Sequence, residues 1–265
     1  MSIPWFAPLN TPVVTWKNKR IWLIGASSGI GAALAKAFLA QGASVILSAR
    51  RSDQLELVAD GHPNALILPM DVQDELAWSE GQVKIEQRFG GVDLIMFCAA
   101  NYKPERSWEM QSAEVAKTLR INLLGVYQGI CTTLPGMLKQ KSGGIAIIAS
   151  VAGYVGLLNA SVYGPSKAAL INLAELLYTD LHNKKLDVYL INPGFVKTEL
   201  TEKNTFMMPA LQTPEQAAAS IIKGMQRGLF EIHFPRRFTY VLKLLQIIPY
   251  RWRFALFERF LNQQG

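Results

Sequence analysis

Cysteine and histidine are scarce in this sequence. Its 265 residues include two cysteines, Cys98 and Cys131, and three histidines that lie far apart along the chain. Two cysteines are too few for a disulfide framework or a cysteine-based metal cluster, so we predict neither. A reducing, cytoplasmic compartment fits this usage of cysteine best.

Long apolar runs are also missing. No uninterrupted apolar segment of the sequence approaches the ~20 residues that a membrane-spanning helix requires. The N-terminal segment lacks the basic start and apolar stretch of a secretory signal. Half of the residues are apolar and only 18% are charged, which predicts a sizeable core rather than disorder. The net charge of +7 indicates an anionic partner.

The sequence does contain apolar segments that alternate with helical ones. Strands are predicted at 20–25, 44–50, 65–71, 92–100, 144–150, 187–194 and 230–235, and helices at about 30–42, 52–60, 73–89, 112–139 and 162–183. Continuously apolar strands between helices are typical of βαβ units. We therefore expect one α/β domain over 1–265, a Rossmann-like, doubly wound parallel sheet with helices on both faces. Ligands of such sheets bind at the carboxyl ends of the strands.

The segment "GASSGIG" directly follows the first predicted strand. Three glycines within seven residues allow the backbone to turn sharply, approach a pyrophosphate and present the amides of a helix N-terminus. We interpret the segment as a dinucleotide-binding loop rather than only a tight strand–helix turn. The residues that we expect to contact the dinucleotide are Gly25, Ser27, Ser28, Gly29, Ile30 and Gly31.

The second strand ends at Arg50 and Arg51, where folds that bind NAD commonly carry an acidic residue for the ribose hydroxyls. A carboxylate would repel a 2′-phosphate, whereas an arginine makes charge-assisted hydrogen bonds with it. We therefore predict NADP(H) in preference to NAD(H), although both arginines could also be solvated residues at a helix start. Asp71, after the third strand, is predicted to hydrogen-bond the adenine, and Val72 is a further expected cofactor contact.

Six motifs in a fixed order resemble the short-chain dehydrogenase/reductase family over about residues 18–200. They are "GASSGIG", the pair Asp71–Val72, "INLLG" around Asn122, "IIASVAG" around Ser150, "YGPSK" at 163–167 and "NPGFVKT" at 192–198. Each motif alone is weak, and their order and spacing make the resemblance specific. Two family features are absent, because Ile24 precedes Gly25 and "FCAA" at 97–100 replaces the usual N-N-A-G.

The resemblance implies a catalytic tetrad of Asn122, Ser150, Tyr163 and Lys167. Tyr163 would exchange a proton with the substrate oxygen during hydride transfer, and its ordinary pKa of roughly 10 is high for that role at neutral pH. Lys167 lies one helical turn later and is expected to lower this pKa by stabilising the phenolate. Ser150 would hydrogen-bond to the substrate oxygen, and Asn122 would have a structural and water-relay role. Further cofactor contacts are expected from Ala99, Pro193, Gly194, Val196 and Thr198.

The segment 199–212 corresponds to the family's substrate lid and carries Phe206, Met207, Met208 and Leu211. Flexible apolar side chains suit a hydrophobic, lipid-like ketone, aldehyde or alcohol. The expected function is an NADP(H)-dependent carbonyl reductase or alcohol dehydrogenase. A non-catalytic dinucleotide sensor or scaffold, an NAD-specific alcohol dehydrogenase, and an isomerase or dehydratase on the same scaffold are the alternatives. We expect a homodimer through the helices at 112–139 and 162–183, with a tetramer as the larger option.

The segment 236–265 departs from the family, which often ends in a glycine-rich segment. Six basic residues and one acidic residue give the segment a net charge of +5, most of the chain's +7. Phe238, Val241, Leu242, Leu245 and Ile248 fit one helical face, and Trp252, Leu256, Phe257 and Phe260 suggest a second. Such basic amphipathic helices indicate peripheral membrane contact, or else a cover for the protein's own pocket or a partner subunit. Nucleic acid is not an expected partner, since the charges alternate with large apolar residues.

Overall fold

A computed structural model describes residues 7–204 and 208–261, and the side chains up to Glu258. The strands are β1 (Arg20–Ile24), β2 (Ser44–Ser48), β3 (Ala65–Ile67), β4 (Leu94–Phe97), β5 (Gly144–Ile148), β6 (Asp187–Pro193) and β7 (Glu231–Phe234). The helices are α1 (Gly29–Ala40), α2 (Ser52–Ala59), α3 (Glu75–Phe89), α4 (Ser112–Leu119), α5 (Gly125–Gln140), α6 (Tyr163–Leu181), α7 (Pro214–Gln226), α8 (Arg236–Ile247) and α9 (Tyr250–Leu261).

The strands form one parallel sheet in the order β3-β2-β1-β4-β5-β6-β7. The chain builds outward from β1 to β3, returns to β4 and continues in the other direction, so the order reverses between β1 and β4. Apolar residues fill both faces of the sheet, one beneath α1 and α7 and the other beneath α3, α5 and α6. The predicted doubly wound fold is confirmed, and the reversal between β1 and β4 is where ligands bind in such folds.

Two elements differ from the sequence-based expectation. The third strand is shorter than 65–71, although Leu68 and Met70 still donate backbone hydrogen bonds to the chain at and just after β2. Pro69 between them is tolerated, because its position faces the open edge of the sheet, where no amide is required. The helix expected over 112–139 is divided into α4 and α5 by a π-helical turn at Arg120–Leu124. Such turns insert one extra residue and are frequent at functional sites.

The C-terminal helix α8 packs one face on the body of the protein. Phe238, Leu242 and Leu245 contact the apolar cluster around Val151 and Tyr154. Val241 is one of the five residues that the sequence places on this inner face. It lies on another side of α8, since 58% of its surface is exposed. Within the described ranges, no helix combines the length and hydropathy that crossing a bilayer would require.

Candidate active site

A cleft of about 460 Å³ opens at the carboxyl ends of the central strands. The residues predicted from the sequence that line it are Gly25, Ser27, Ser28, Gly29, Ile30, Gly31, Arg50, Arg51, Asp71, Val72, Ala99, Ser150, Tyr163, Lys167, Pro193, Gly194, Val196 and Thr198. They come from seven separate segments of the chain. Asn122 does not line the cleft and is fully buried behind it. Ile121 of the same motif does line the cleft, so the parallel sheet brings every motif of the resemblance to one place.

The glycine loop leaves no space for side chains on the side that packs against the protein. Gly25 has a φ of +90°, and a Cβ there would lie 2.5 Å from the backbone nitrogen of Ala99. A Cβ on Gly31 would lie 2.1 Å from the carbonyl oxygen of Gly25. The loop therefore folds back tightly and exposes its backbone and the start of α1 to the cleft. This arrangement fits a bound pyrophosphate, which helix N-terminal amides stabilise.

Substituting Gly31 by Ala should weaken binding of the dinucleotide. The added methyl group must displace the backbone of Gly25, so we expect affinity for NADPH to fall at least about 10-fold and the melting temperature to drop by several degrees. Fluorescence titration with NADPH and thermal unfolding measure the two effects. Gly136→Ala is the matched control, because apart from the local backbone of α5 no described atom lies within 4 Å of a Cβ at that position. Equal behaviour of both variants would contradict the proposed role of the loop.

Arg51 links the glycine loop to the segment after β6. Its guanidinium donates hydrogen bonds to the hydroxyls of Ser27 and Ser28, at 3.3 and 3.1 Å. It also forms an ion pair with Glu199 at 3.1 Å. Glu199 was not among the residues singled out from the sequence, since nothing local shows that it reaches the second strand. Arg51 and Glu199 are thus joined across 148 residues of sequence.

Tyr163 is the first residue of α6, and Pro165 occupies the first helical turn as the sequence predicts. Its hydroxyl hydrogen-bonds with Ser150, and its ring packs edge-on against Tyr102 at 5.0 Å between centroids. Burial raises the pKa of Tyr163 to about 12, and the hydrogen bond with Ser150 only partly offsets this. The expected lowering of this pKa is therefore not found in the protein's own residues, because desolvation of the phenolate is the larger effect.

Lys167 lies one turn further along α6 and is 2% exposed. Its Nζ donates a 2.8 Å hydrogen bond to the carbonyl of Ile148 and lies 5.4 Å from the ring centroid of Tyr163. Burial lowers the pKa of Lys167 to about 8. The ammonium is thus held at the end of β5, beside Tyr163. Burying this charge costs free energy, and an apolar side chain could fill the same space without that cost.

Asn122 connects the π-helical turn to the end of β4. Its Oδ1 accepts a 2.6 Å hydrogen bond from the backbone amide of Asn101, and its Nδ2 donates to the carbonyl of Asn101 and the hydroxyl of Ser166. The π-helical turn therefore places an amide where it fixes two segments of the cleft. Its hydrogen bonds reach the residue before Lys167 rather than Lys167 itself.

Tyr102 is a site residue that the sequence did not single out. Its hydroxyl donates to Oδ1 of Asn204 at 2.9 Å, and Lys203 donates to its carbonyl at 2.8 Å. Tyr102 therefore connects the ring of Tyr163 to the segment expected to form the lid. Its position shortly after β4 was the available signal, since ligands of such sheets bind at the carboxyl ends of the strands. Phe206 and Met207 of the expected lid lie outside the described residues.

The "FCAA" segment is held by the backbone of β1. The amides of Cys98 and Ala99 both donate to the carbonyl of Ile24 at 2.8 Å. Phe97 packs into the core beside Trp78. Desolvation raises the pKa of the Cys98 thiol to about 12, so this cysteine stays neutral and unreactive. Apolar packing and backbone bonds thus hold the segment in which the family usually has asparagines.

Comparison with known proteins agrees with this geometry. The sequence model described as short chain dehydrogenase matches residues 19–208. An uncharacterized oxidoreductase of Myxococcus xanthus is 31% identical over 229 residues, which cover 85% of this chain and 90% of that protein.

Two solved structures share the fold at low sequence identity. The closed form of serine dehydrogenase complexed with NADP⁺ matches with a TM-score of 0.75 and 23% identity, covering 81% of this chain and 94% of that one. A short-chain dehydrogenase/reductase of Burkholderia phymatum in complex with NAD matches with a TM-score of 0.80 and 22% identity, covering 88% and 94%. Since the family match spans most of the chain, this protein belongs to the short-chain dehydrogenase family of oxidoreductases.

Proposed function

We propose that this protein is an NADP(H)-dependent oxidoreductase that interconverts a carbonyl compound and an alcohol on a hydrophobic substrate. The observation that carries the proposal is the position of Tyr163. Tyr163 lines the cleft, its hydroxyl hydrogen-bonds with Ser150, and the buried ammonium of Lys167 lies 5.4 Å from its ring centroid. Isolated hydroxyl and ammonium groups are costly to bury, so their presence together points to proton transfer.

The side chains of this site are suited to protonate a developing alkoxide. With a pKa of about 12, Tyr163 is protonated at neutral pH and can donate its proton to a substrate oxygen. Ser150 is placed to donate a second hydrogen bond to the same oxygen. The positive charge of Lys167 stabilises the phenolate that remains on Tyr163. A bound dinucleotide would supply or accept the hydride, held by the glycine loop, Arg51 and the "NPGFVKT" segment.

The proposed reaction is tested with a panel of ketones, aldehydes and alcohols of increasing chain length. Oxidation of NADPH or reduction of NADP⁺ is followed by absorbance, and the same panel is repeated with NADH and NAD⁺. We expect turnover to rise with the apolar size of the substrate, because "GYVGLLNAS" at 153–161 and the lid segment offer apolar contacts. Binding of NADPH without turnover of any member would favour the sensor or scaffold alternative.

The ion pair between Arg51 and Glu199 bears on the choice of cofactor. Both side chains are about half exposed, so their interaction is weak and a stronger anion can replace the carboxylate. A 2′-phosphate carries more charge and forms charge-assisted hydrogen bonds with a guanidinium. If Arg51 stays paired with Glu199, their charges cancel and the site suits a cofactor without a 2′-phosphate. NAD(H) is therefore the second candidate.

Substitution at these two positions should separate the cofactors. Arg51→Gln should raise KM for NADPH at least about 10-fold and change KM for NADH little, since one charge-assisted interaction is lost. Glu199→Gln should lower KM for NADPH by about 3-fold, because a competing carboxylate is removed. Glu202→Gln, three residues later, is the matched control with the same change of charge. If Arg51→Gln affects both cofactors alike, NADP(H) is not the preferred cofactor.

We also propose a homodimer through α4, α5 and α6. Leu119, Tyr127 and Leu176 expose large apolar surfaces on these helices, and Leu124 does so in the π-helical turn between α4 and α5, which supports a partner subunit there. Sedimentation equilibrium measures the mass directly, and Leu176→Glu should yield a monomer. A monomeric wild-type protein would exclude this assembly.

A further inference from the structure

The outward face of α8 and the start of α9 combine exposed apolar and basic side chains. Its members, together called the C-terminal surface, are Arg236, Arg237, Tyr240, Val241, Leu244, Ile247, Tyr250, Arg251 and Trp252. Ile247 is 78% exposed, Trp252 67% and Leu244 58%. The surfaces of soluble monomeric proteins rarely expose so many large apolar residues side by side, and such patches mark interaction sites.

The protein's own body engages little of this surface, of which Tyr240 packs edge-on against the ring of His233, at 5.1 Å between centroids. The opposite face of α8 already packs on the cluster around Val151 and Tyr154. Polar contacts reinforce that packing, because Lys243 is paired with Glu231 and Gln246 donates a 3.0 Å hydrogen bond to the carbonyl of Tyr154. The suggestion that these helices cover the protein therefore accounts for the inner face only, and the C-terminal surface requires a partner of its own.

The charge of the segment decides which partner fits. The segment 236–265 carries a net charge of +5, and Arg236, Arg237 and Arg251 are exposed beside the apolar residues. A two-fold contact with a second copy would bring these like charges together, which is unfavourable. An anionic lipid surface satisfies both features, since its headgroups attract arginines and its acyl boundary accepts the apolar side chains.

We propose that the C-terminal surface adsorbs to anionic lipid bilayers. Tyr240, Tyr250 and Trp252 are amphipathic aromatics of the kind enriched at the membrane–water boundary. The contact is peripheral, with α8 lying along the bilayer and its inner face still on the protein. Because α8 contacts the segment after Ser150, and Phe238 packs against Phe195, adsorption holds this side of the cleft near the lipid.

Sedimentation with vesicles tests the proposal on the full-length protein without cofactor or substrate. The protein should sediment with vesicles of phosphatidylglycerol and phosphatidylcholine, should bind phosphatidylcholine alone poorly, and should be released by salt. Replacing Arg236, Arg237 and Arg251 by Gln should lower the partition coefficient about 100-fold, since each basic residue contributes roughly a fivefold factor. Replacing Lys139, Lys184 and Lys223 by Gln, an equal change of charge on other exposed surfaces, should leave it within about twofold.

The apolar contribution is tested by Leu244→Ser with Ile247→Ser, which should also abolish sedimentation with vesicles. Leu57→Ser with Leu76→Ser is the matched control, because these leucines are 69% and 71% exposed elsewhere. The proposal is overturned if the wild type does not sediment with vesicles or if it binds neutral vesicles equally well. It is also overturned if the control variants lose as much vesicle binding as the variants of the C-terminal surface. If the Leu244/Ile247 variant instead dissociates an oligomer, the surface is an interface between copies. Tyr163→Phe should bind vesicles normally, so this test is independent of the proposed activity.

Discussion

Replacing Tyr163 by Phe is expected to lower kcat/KM for carbonyl reduction about 1000-fold, because the proton donor is lost. The ring remains, so its edge-on contact with Tyr102 and the entry into α6 are preserved. Affinity for NADPH should therefore stay within about twofold of the wild type. Initial rates and fluorescence titration measure the two quantities.

Tyr102→Phe is the matched control for this experiment. It also removes one hydroxyl from a buried ring in the same cluster, but that hydroxyl bonds Asn204 rather than facing Ser150. We expect mainly a higher KM, because the contact with the lid segment is weakened, and a kcat within a few-fold of the wild type. If Tyr163→Phe retains full activity, Tyr163 is not the proton donor and the proposed mechanism is excluded.

Replacing Lys167 by Met is expected to make the protein more stable and much less active. Burial lowers the pKa of Lys167 from 10.5 to about 8, which corresponds to a destabilisation of about 3 kcal/mol when the ammonium is charged in both states. The substitution also removes the hydrogen bond to Ile148, worth about 1 kcal/mol. The free energy of unfolding at neutral pH should therefore rise by about 2 kcal/mol, while kcat should fall about 100-fold or more.

The pH dependence separates this effect from a simple change in packing. Between about pH 8 and 10.5 the unfolded chain keeps the proton on Lys167 and the folded protein releases it, so the wild type gains stability as the pH rises. The stability difference between Lys167→Met and the wild type should shrink across this interval. Wild-type kcat for reduction should fall above about pH 8, since the charge beside Tyr163 is then lost. Denaturant unfolding and rate profiles at several pH values check both; a stability difference that is constant with pH would contradict the assignment.

The sequence alone was sufficient for the fold and for the positions of most site residues. Strand and helix periodicity are local, and a parallel α/β sheet must gather the carboxyl ends of its central strands at one edge. Gly25, Ser150 and Tyr163 follow different strands, so their meeting in one cleft was predictable without coordinates. The first-turn position of Pro165 likewise fixed the start of α6.

Contacts between distant segments could not be predicted in this way. Arg51 pairs with Glu199, and Tyr102 hydrogen-bonds with Asn204. Nothing in the sequence around these residues indicates that the two members of each pair are in contact. The π-helical turn at Asn122 accompanies a hydrogen bond from the backbone amide of Asn101, 21 residues earlier, which periodicity does not record.

The sequence by itself determined the sheet, the glycine loop and the placement of Tyr163 and Lys167 one helical turn apart at the cleft, because each follows from local pattern or motif order. Only the tertiary structure decided the balance of forces within the site. The sequence predicted a lowered pKa for Tyr163 from the nearby charge of Lys167, whereas burial, which depends on the whole fold, raises it. The tertiary structure also decided which side of α8 is buried. Packing on the body of the protein places Phe238 and Leu242 on the inner face and leaves Val241 and Leu244 exposed.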